Sequence, residues 1–376
     1  MLRRLAKTGI ACASHWTGAD KLIGLLNHSR NMPLVIGYHR VGEDFTASAE
    51  DYTPAMLISR RMLERHLDWL GRRYRLLSLN ELGSRLESGE TFDKPVAAIT
   101  FDDGYADVYH HAFPLLKRKG IPAAIFVVTD LIGTKRLQFY DKLYLLLTRA
   151  FSRWGSATHA LAHLLVGMKV RLSNMDNLKT IACDPLTATR ALITALPQGE
   201  IYCVIDALEA EVPIDEGAFK DRHSLTWEMV SEMHQAGITI GSHTRTHAWL
   251  HNESWERVLD ETAHSRQMLE RRLKTGIIHF AYPDGRFNAA TVGAVADAGY
   301  RFAYTTCRHR NLVYPLLTIP RTLLWENSCM DALGHFSSSI MSCQANRVFD
   351  AFAPCDQHHD WTAESLRSPA SAVTGT

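Results

Sequence analysis

The chain of 376 residues contains no C-x-x-C pair, and its seven cysteines (12, 183, 203, 307, 329, 343 and 355) are odd in number and widely scattered. That excludes a zinc ribbon and a dithiol redox motif, and it fits reduced thiols in a reducing compartment. No apolar run approaches the roughly 20 residues of a membrane span. Neither sign of charge dominates: 41 Lys+Arg face 40 Asp+Glu. No global field therefore draws the chain to nucleic acid or to an anionic surface. Internal repeats are absent. No cleaved secretory leader is expected, because the stretch 8–16 behind Arg3, Arg4 and Lys7 is short, mixed and interrupted by His15. An amphipathic helical lead-in over 1–32 is expected instead.

What is present reads as an α/β protein. At 46% apolar and 22% charged, the composition is that of a globular domain. Short continuous apolar runs at 33–38, 96–101, 123–128, 238–240, 277–282 and 302–306 suit parallel strands covered by helices. Helical stretches at 108–119, 227–236 and 289–298 each end at a glycine, Gly120, Gly237 or Gly299, with a strand close behind. Helix, glycine, strand is the rhythm of a βα barrel or a doubly wound sheet. It breaks over about 130–223, which reads as a helical insertion. The barrel is expected to span 33–336, and 337–376 to form a disordered tail.

Three segments carry chemistry. Thr100-Phe101-Asp102-Asp103-Gly104-Tyr105 ends an apolar run with two carboxylates. Neighbouring side chains of an extended segment diverge, so one aspartate can bind a metal while the other faces a water. A lone Asp-Gly at a strand end is more simply a helix cap; the full hexapeptide says more. Gly241-Ser242-His243-Thr244-Arg245-Thr246-His247 sets two imidazoles four residues apart, a spacing common in zinc sites. Phe280-Ala281-Tyr282-Pro283-Asp284-Gly285-Arg286 is a turn after a strand, with a backbone N–H suited to an oxyanion. Hard oxygen ligands, two imidazoles and a spare carboxylate point to metal-assisted hydrolysis. Trp249 and His39 are candidate contacts of a substrate.

These segments, in this order, resemble the NodB-type polysaccharide deacetylases, carbohydrate esterase family four. The likeness runs from about Pro33 to Arg321. Gly37-Tyr38-His39-Arg40-Val41, Leu225-Thr226-Trp227-Glu228 and Ile319-Pro320-Arg321 are similar to its exopolysaccharide-linked branch. The resemblance implies an irregular (β/α)7 barrel, an N-acetylated glycan substrate and a divalent metal, usually Zn2+. It implies Asp103, His243 and His247 as metal ligands, Asp102 as general base, and the backbone N–H near Asp284 as an oxyanion donor. Tyr105, Tyr282, Pro283, Trp249 and His39 are then expected around the substrate.

The chain departs from the family pattern at several positions. Ala281 stands where many members have an arginine that orients the base, and Arg321 is the candidate replacement. Asp284 stands where many have an aromatic, and its charge is expected either to reshape the sugar site or to raise the pKa of Asp102. The motif supplying the general acid is not recognisable, which leaves His309 and His335 as candidates. Two further readings stay open: a small-amide or cyclic-imide hydrolase on the same scaffold, and an inactive sugar-binding barrel. With no clear leader, action in the cytoplasm on a precursor or a lipid-linked sugar is the favoured expectation, and association with the envelope is the alternative.

Overall fold

The computed structural model describes residues 2–27, 33–45, 56–168, 184–308 and 310–352. Helices α1 (Leu2–Thr17) and α2 (Ala19–Asn27) lead in. Strand β1 (Leu34–Tyr38) is followed by a side ribbon of β2 (Arg40–Gly42) and β3 (Leu57–Ser59), and by α3 (Arg60–Gly71). Then come β4 (Arg75–Leu76), α4 (Leu79–Glu87), β5 (Val96–Phe101), α5 (Phe113–Lys119) and β6 (Ala123–Val127). The insertion holds α6 (Phe139–Arg153), α7 (Ala157–Gly167), α8 (Pro185–Ala195) and α9 (Gln198–Glu211). After it come α10 (Trp227–Gln235), β7 (Thr239–Ser242), α11 (Trp255–Leu259), α12 (Ser265–Leu273), β8 (His279–Ala281) and α13 (Ala289–Asp297). Strands β9 (Phe302–Thr305), β10 (Ile319–Pro320) and β11 (Thr322–Leu323) and helix α14 (Ser338–Ala345) complete the chain.

All pairings in the main sheet are parallel, in the order β10-β9-β8-β7-β6-β5-β1-β11, with β4 beside β5. Strands β10 and β11 are one stretch of chain interrupted only by Arg321. Ile319 lies opposite Tyr304 on one side, and Leu323 lies opposite Gly37 on the other. This split stave joins the two ends of the sheet, so the structure is the expected irregular barrel.

Every residue of β1, β5, β6, β7, β8 and β9 is buried. The strand period of two divides them between two cores. Ile36, Ala97, Ile99, Phe101, Ile125 and Val127 face the helices. Val35, Ala98, Ala124, Phe126, Ala281 and Tyr304 face a smaller interior cluster. By the same alternation Thr100 and Asp102 lie on the side of Ala98. Gly241 is required inside the barrel, because a Cβ there would stand 2.6 Å from the Phe126 ring.

The six apolar runs are strands, within a residue or two. The two-residue strands β4, β10 and β11 are too short to produce a periodic signal. The insertion is helical and packs around its own core of Leu143, Leu146, Leu147, Leu192, Val204 and Leu208. The first part of the expected tail is ordered instead: α14 buries Ile340, Met341 and Cys343, with Ile340 and Cys343 against Ala11 of α1. Residues 353–376 lie outside the described residues. Among the described residues, no helix is long and apolar enough to cross a membrane.

Candidate active site

The site residues stand one step past the C-terminal ends of neighbouring strands, still held by the ladder. Asp102 N–H donates to Tyr38 O, His243 N–H to Val127 O, and Tyr282 N–H to Tyr304 O. The strand ends of a βα barrel are where side chains from several strands can converge. They meet in a cavity of 350 Å³ whose walls include Asp102, Asp103, His243, His247 and Arg321.

Asp103, His243 and His247 form one buried cluster, with ligand atoms all within 4.8 Å of one another. Asp103 Oδ1 lies 3.3 Å from His243 Nε2 and 3.2 Å from His247 Nε2, and it has no hydrogen-bond partner. His243 Nδ1 lies 2.8 Å from Ala281 O, which fixes Nδ1 as the donor. In the neutral ring the Nε2 lone pair then faces a carboxylate oxygen. A cation between them resolves that repulsion, so these residues fit a divalent metal. Burial opposes charge on Asp103, but its contacts with His243 and His247 outweigh it and hold the carboxyl well below the usual range. Burial likewise opposes charge on His243, and Asp103 and Asp102 raise its pKa in spite of it.

Asp102 is clamped by a fork. Arg321 Nη1 donates to Oδ1 and Nη2 to Oδ2, both at 2.7 Å, and Nη1 also reaches Thr100 Oγ1 at 3.1 Å. Both residues are buried. Burial pushes the Asp102 carboxyl up, and Arg321 with His243 more than offsets it, leaving it below its ordinary value. The expected upward push from Asp284 is therefore not seen. The Asp284 carboxylate turns to Arg286 Nε, 2.7 Å away. His39 Nε2 stands 4.0 Å from Asp102 Oδ2.

The backbone is strained at four of these positions. Asp103 (φ 68°), Thr244 (φ 68°), His247 (φ 64°) and Asp284 (φ 56°) are left-handed without being glycine. Each such residue costs on the order of 1–3 kcal/mol, and such strain collects at functional sites. The His loop is held by Glu261, which is fully buried. Its carboxylate accepts from Arg245 N–H, Thr246 N–H and the Thr246 hydroxyl. Thr244 Oγ1 accepts from His247 N–H at 2.9 Å.

His39, Trp249, Tyr282 and Asp284 line the cavity, and the Arg286 guanidinium lies over the Trp249 ring. Pro283 is buried and Tyr105 is fully buried; neither lines it. Tyr105 points away because its hydroxyl donates to Asp141 Oδ2 at 2.7 Å. His335 is exposed on a turn and is not part of the wall, while His309 lies outside the described residues.

Two contributions from the insertion were not legible in the sequence. The Tyr140 hydroxyl donates to Asp103 Oδ2 at 2.8 Å and its ring lies 5.0 Å from that of His247. Gln138 Nε2 donates to Asp103 O at 3.1 Å. Helix α8 supplies Leu186, Thr189, Arg190, Ile193 and Thr194 to the cavity wall, the spacing of one helical face.

The chain matches the sequence profile of the family described as polysaccharide deacetylase over residues 89–182 and 184–303. It is 22% identical over 253 residues to YxkH of Bacillus subtilis (strain 168), covering 67% of this chain and 60% of that one. It is 31% identical over 117 residues to the poly-beta-1,6-N-acetyl-D-glucosamine N-deacetylase of Staphylococcus epidermidis, covering 29% of this chain and 40% of the relative. The chain thus spans less than two thirds of either relative's length. Its fold is similar to that of IcaB from Ammonifex degensii, with a TM-score of 0.50 at 19% identity, covering 84% of this chain and 97% of that one.

Proposed function

Since the chain belongs to the polysaccharide deacetylase family, we propose that it hydrolyses the N-acetyl group of a sugar in a polysaccharide or its precursor. The observation that carries this reading is the unpartnered Asp103 Oδ1 between His243 Nε2 and His247 Nε2, beside an aspartate clamped by arginine. Asp103, His243 and His247 would hold a divalent metal, with zinc the first choice for two imidazoles and a carboxylate. When bound there, the metal supplies a Lewis acid for the amide carbonyl and acidifies water.

The other groups have separate work. Asp102 takes the proton of the attacking water. Arg321 keeps it ionised and fixes its direction, replacing the arginine that Ala281 does not provide. The backbone N–H at Asp284 shares the developing oxyanion. His39 lies on the cavity wall beside Asp102 and returns a proton to the leaving amine. The Arg286–Trp249 pair gives a sugar ring an apolar face and a donor edge.

The test is acetate release from N-acetylated oligosaccharides by protein stripped with chelator and then reloaded with zinc. Metal-restored release supports the reading; no release from any glycan at full metal occupancy refutes it. Asp102→Asn should lower turnover by about 10²–10⁴-fold with metal content unchanged. His39→Gln should slow amide substrates far more than aryl acetates, whose leaving group needs no proton. The wall formed by α8 favours one second reading, a hydrolase of small amides. A rate that does not rise with oligosaccharide length would select it.

A further inference from the structure

Helix α1 is docked with its polar half on the barrel and its apolar half in solvent. At about 100° per residue, one half of the helix carries Leu5, Gly9, Ile10, Cys12, Ala13 and Trp16 and no charged residue. All six are exposed, Leu5 at 50%, Ile10 at 42% and Trp16 at 90%. The opposite half makes most of the contacts, and Cys12 at the edge of the apolar half reaches Ser339 Oγ at 3.7 Å. Ala11 is buried in the cluster with Ile340 and Cys343. Lys7 Nζ donates to Ser328 O at 2.7 Å, and Arg4 Nη2 to Asn327 Oδ1 at 3.2 Å. Helix α2 adds Leu22, 60% exposed, beside the exposed Lys21. Soluble surfaces rarely leave such an apolar face uncovered.

We propose that this face lies on a lipid bilayer and seats the enzyme on a membrane surface. Charge complementarity selects this occupant. Arg4 of α1 and Lys21 of α2 are exposed, and the single carboxylate of the two helices is Asp20. Asp20 is fully buried, held by Ser342 and His15. The hairpin therefore presents cationic and apolar groups without an exposed carboxylate, the composition of an interfacial helix on anionic lipid. At 16 residues α1 is about 24 Å long, too short and too one-sided to span. Trp16, at its end, is the side chain suited to the headgroup boundary.

The placement also bears on the site. Asn327 and Ser328, which hold α1, follow the cavity residue Leu323 by four and five positions. That is at most about 18 Å of extended chain. A bilayer under α1 therefore lies close to the cavity rim.

The experiment is co-sedimentation of the full chain with phosphatidylcholine vesicles, with and without phosphatidylglycerol. The chain should pellet with the anionic vesicles and less with the neutral ones. The variant Leu5→Glu/Trp16→Glu should lose at least about tenfold in vesicle affinity, with metal content and acetate release unchanged. A second measurement keeps Leu5 and Trp16: an environment-sensitive dye on the thiol of Ala13→Cys, with Cys12, Cys183, Cys203 and Cys355 replaced by serine, should shift to the blue on anionic vesicles. Failure of the chain to bind either vesicle, equal binding by the double variant, or an unshifted dye would overturn the proposal. A dimer in sedimentation velocity that Trp16→Glu dissolves would also overturn it and give the face to a second copy.

Discussion

Arg321 does for Asp102 what a lysine in its place would not, because only a planar fork meets both carboxylate oxygens at 2.7 Å. Removing it strands a buried charge. Arg321→Ala should cost about 3–5 kcal/mol of stability, read by denaturant unfolding. It should also move the acid limb of the pH–rate profile to higher pH, since the cation that lowers the pKa of Asp102 is gone and the base must be ionised to work. An unmoved limb would count against the role of Asp102 as base. Tyr140 acts one bond further from the chemistry. Its hydroxyl fixes Asp103 Oδ2, leaving Oδ1 for the metal. Tyr140→Phe should weaken metal affinity by about 10-fold or more, measured by competition with a chelator, with the melting temperature of the metal-free protein little changed. Equal affinities would reduce the tyrosine to a packing role.

At the level of elements, the strands and the glycine-stopped helices were legible because burial on both faces writes continuous apolar runs. Asp102, Asp103, His243 and His247 could be picked out because each follows such a run. The bond from Arg321 to Asp102 was anticipated only as a replacement, since 219 residues separate the pair. Tyr140 was not anticipated at all: in the sequence it is one aromatic near the start of an amphipathic helix, with nothing pointing to Asp103. Tyr105 was misplaced because adjacency to two aspartates says nothing about the buried Asp141 that captures its hydroxyl. The tail was misjudged because α14 is short and its contacts come from α1, more than 300 residues away. The barrel interior also sets a limit that patterning hides. Gly241→Ala would press a methyl onto Phe126 and toward His279 O, 3.0 Å away. It should destabilise the protein by about 1–3 kcal/mol, read as a lower melting temperature at unchanged metal affinity.

Over the whole molecule, three histidines outside the proposed metal site govern the response to acid. Burial pushes His66 and His279 down to about 3 and His251 to about 4. Below the ordinary value of 6.5 the unfolded chain takes up protons that the native protein refuses. Stability should therefore fall as the pH drops from 6.5 toward 3, by about 1.4 kcal/mol per pH unit for each histidine. Melting temperatures between pH 7 and pH 4.5 test this, and His66→Phe should flatten the slope by about a third. A melting temperature independent of pH over that range would refute it. The split stave has a consequence for biosynthesis. Arg321 sits in the last strand to be made, and that strand both closes the sheet and arms Asp102. A nascent chain on the ribosome, with every proposed metal ligand already translated, would have no oriented carboxylate at Asp102 until this segment emerged and docked. The onset of activity is thereby tied to the completion of folding.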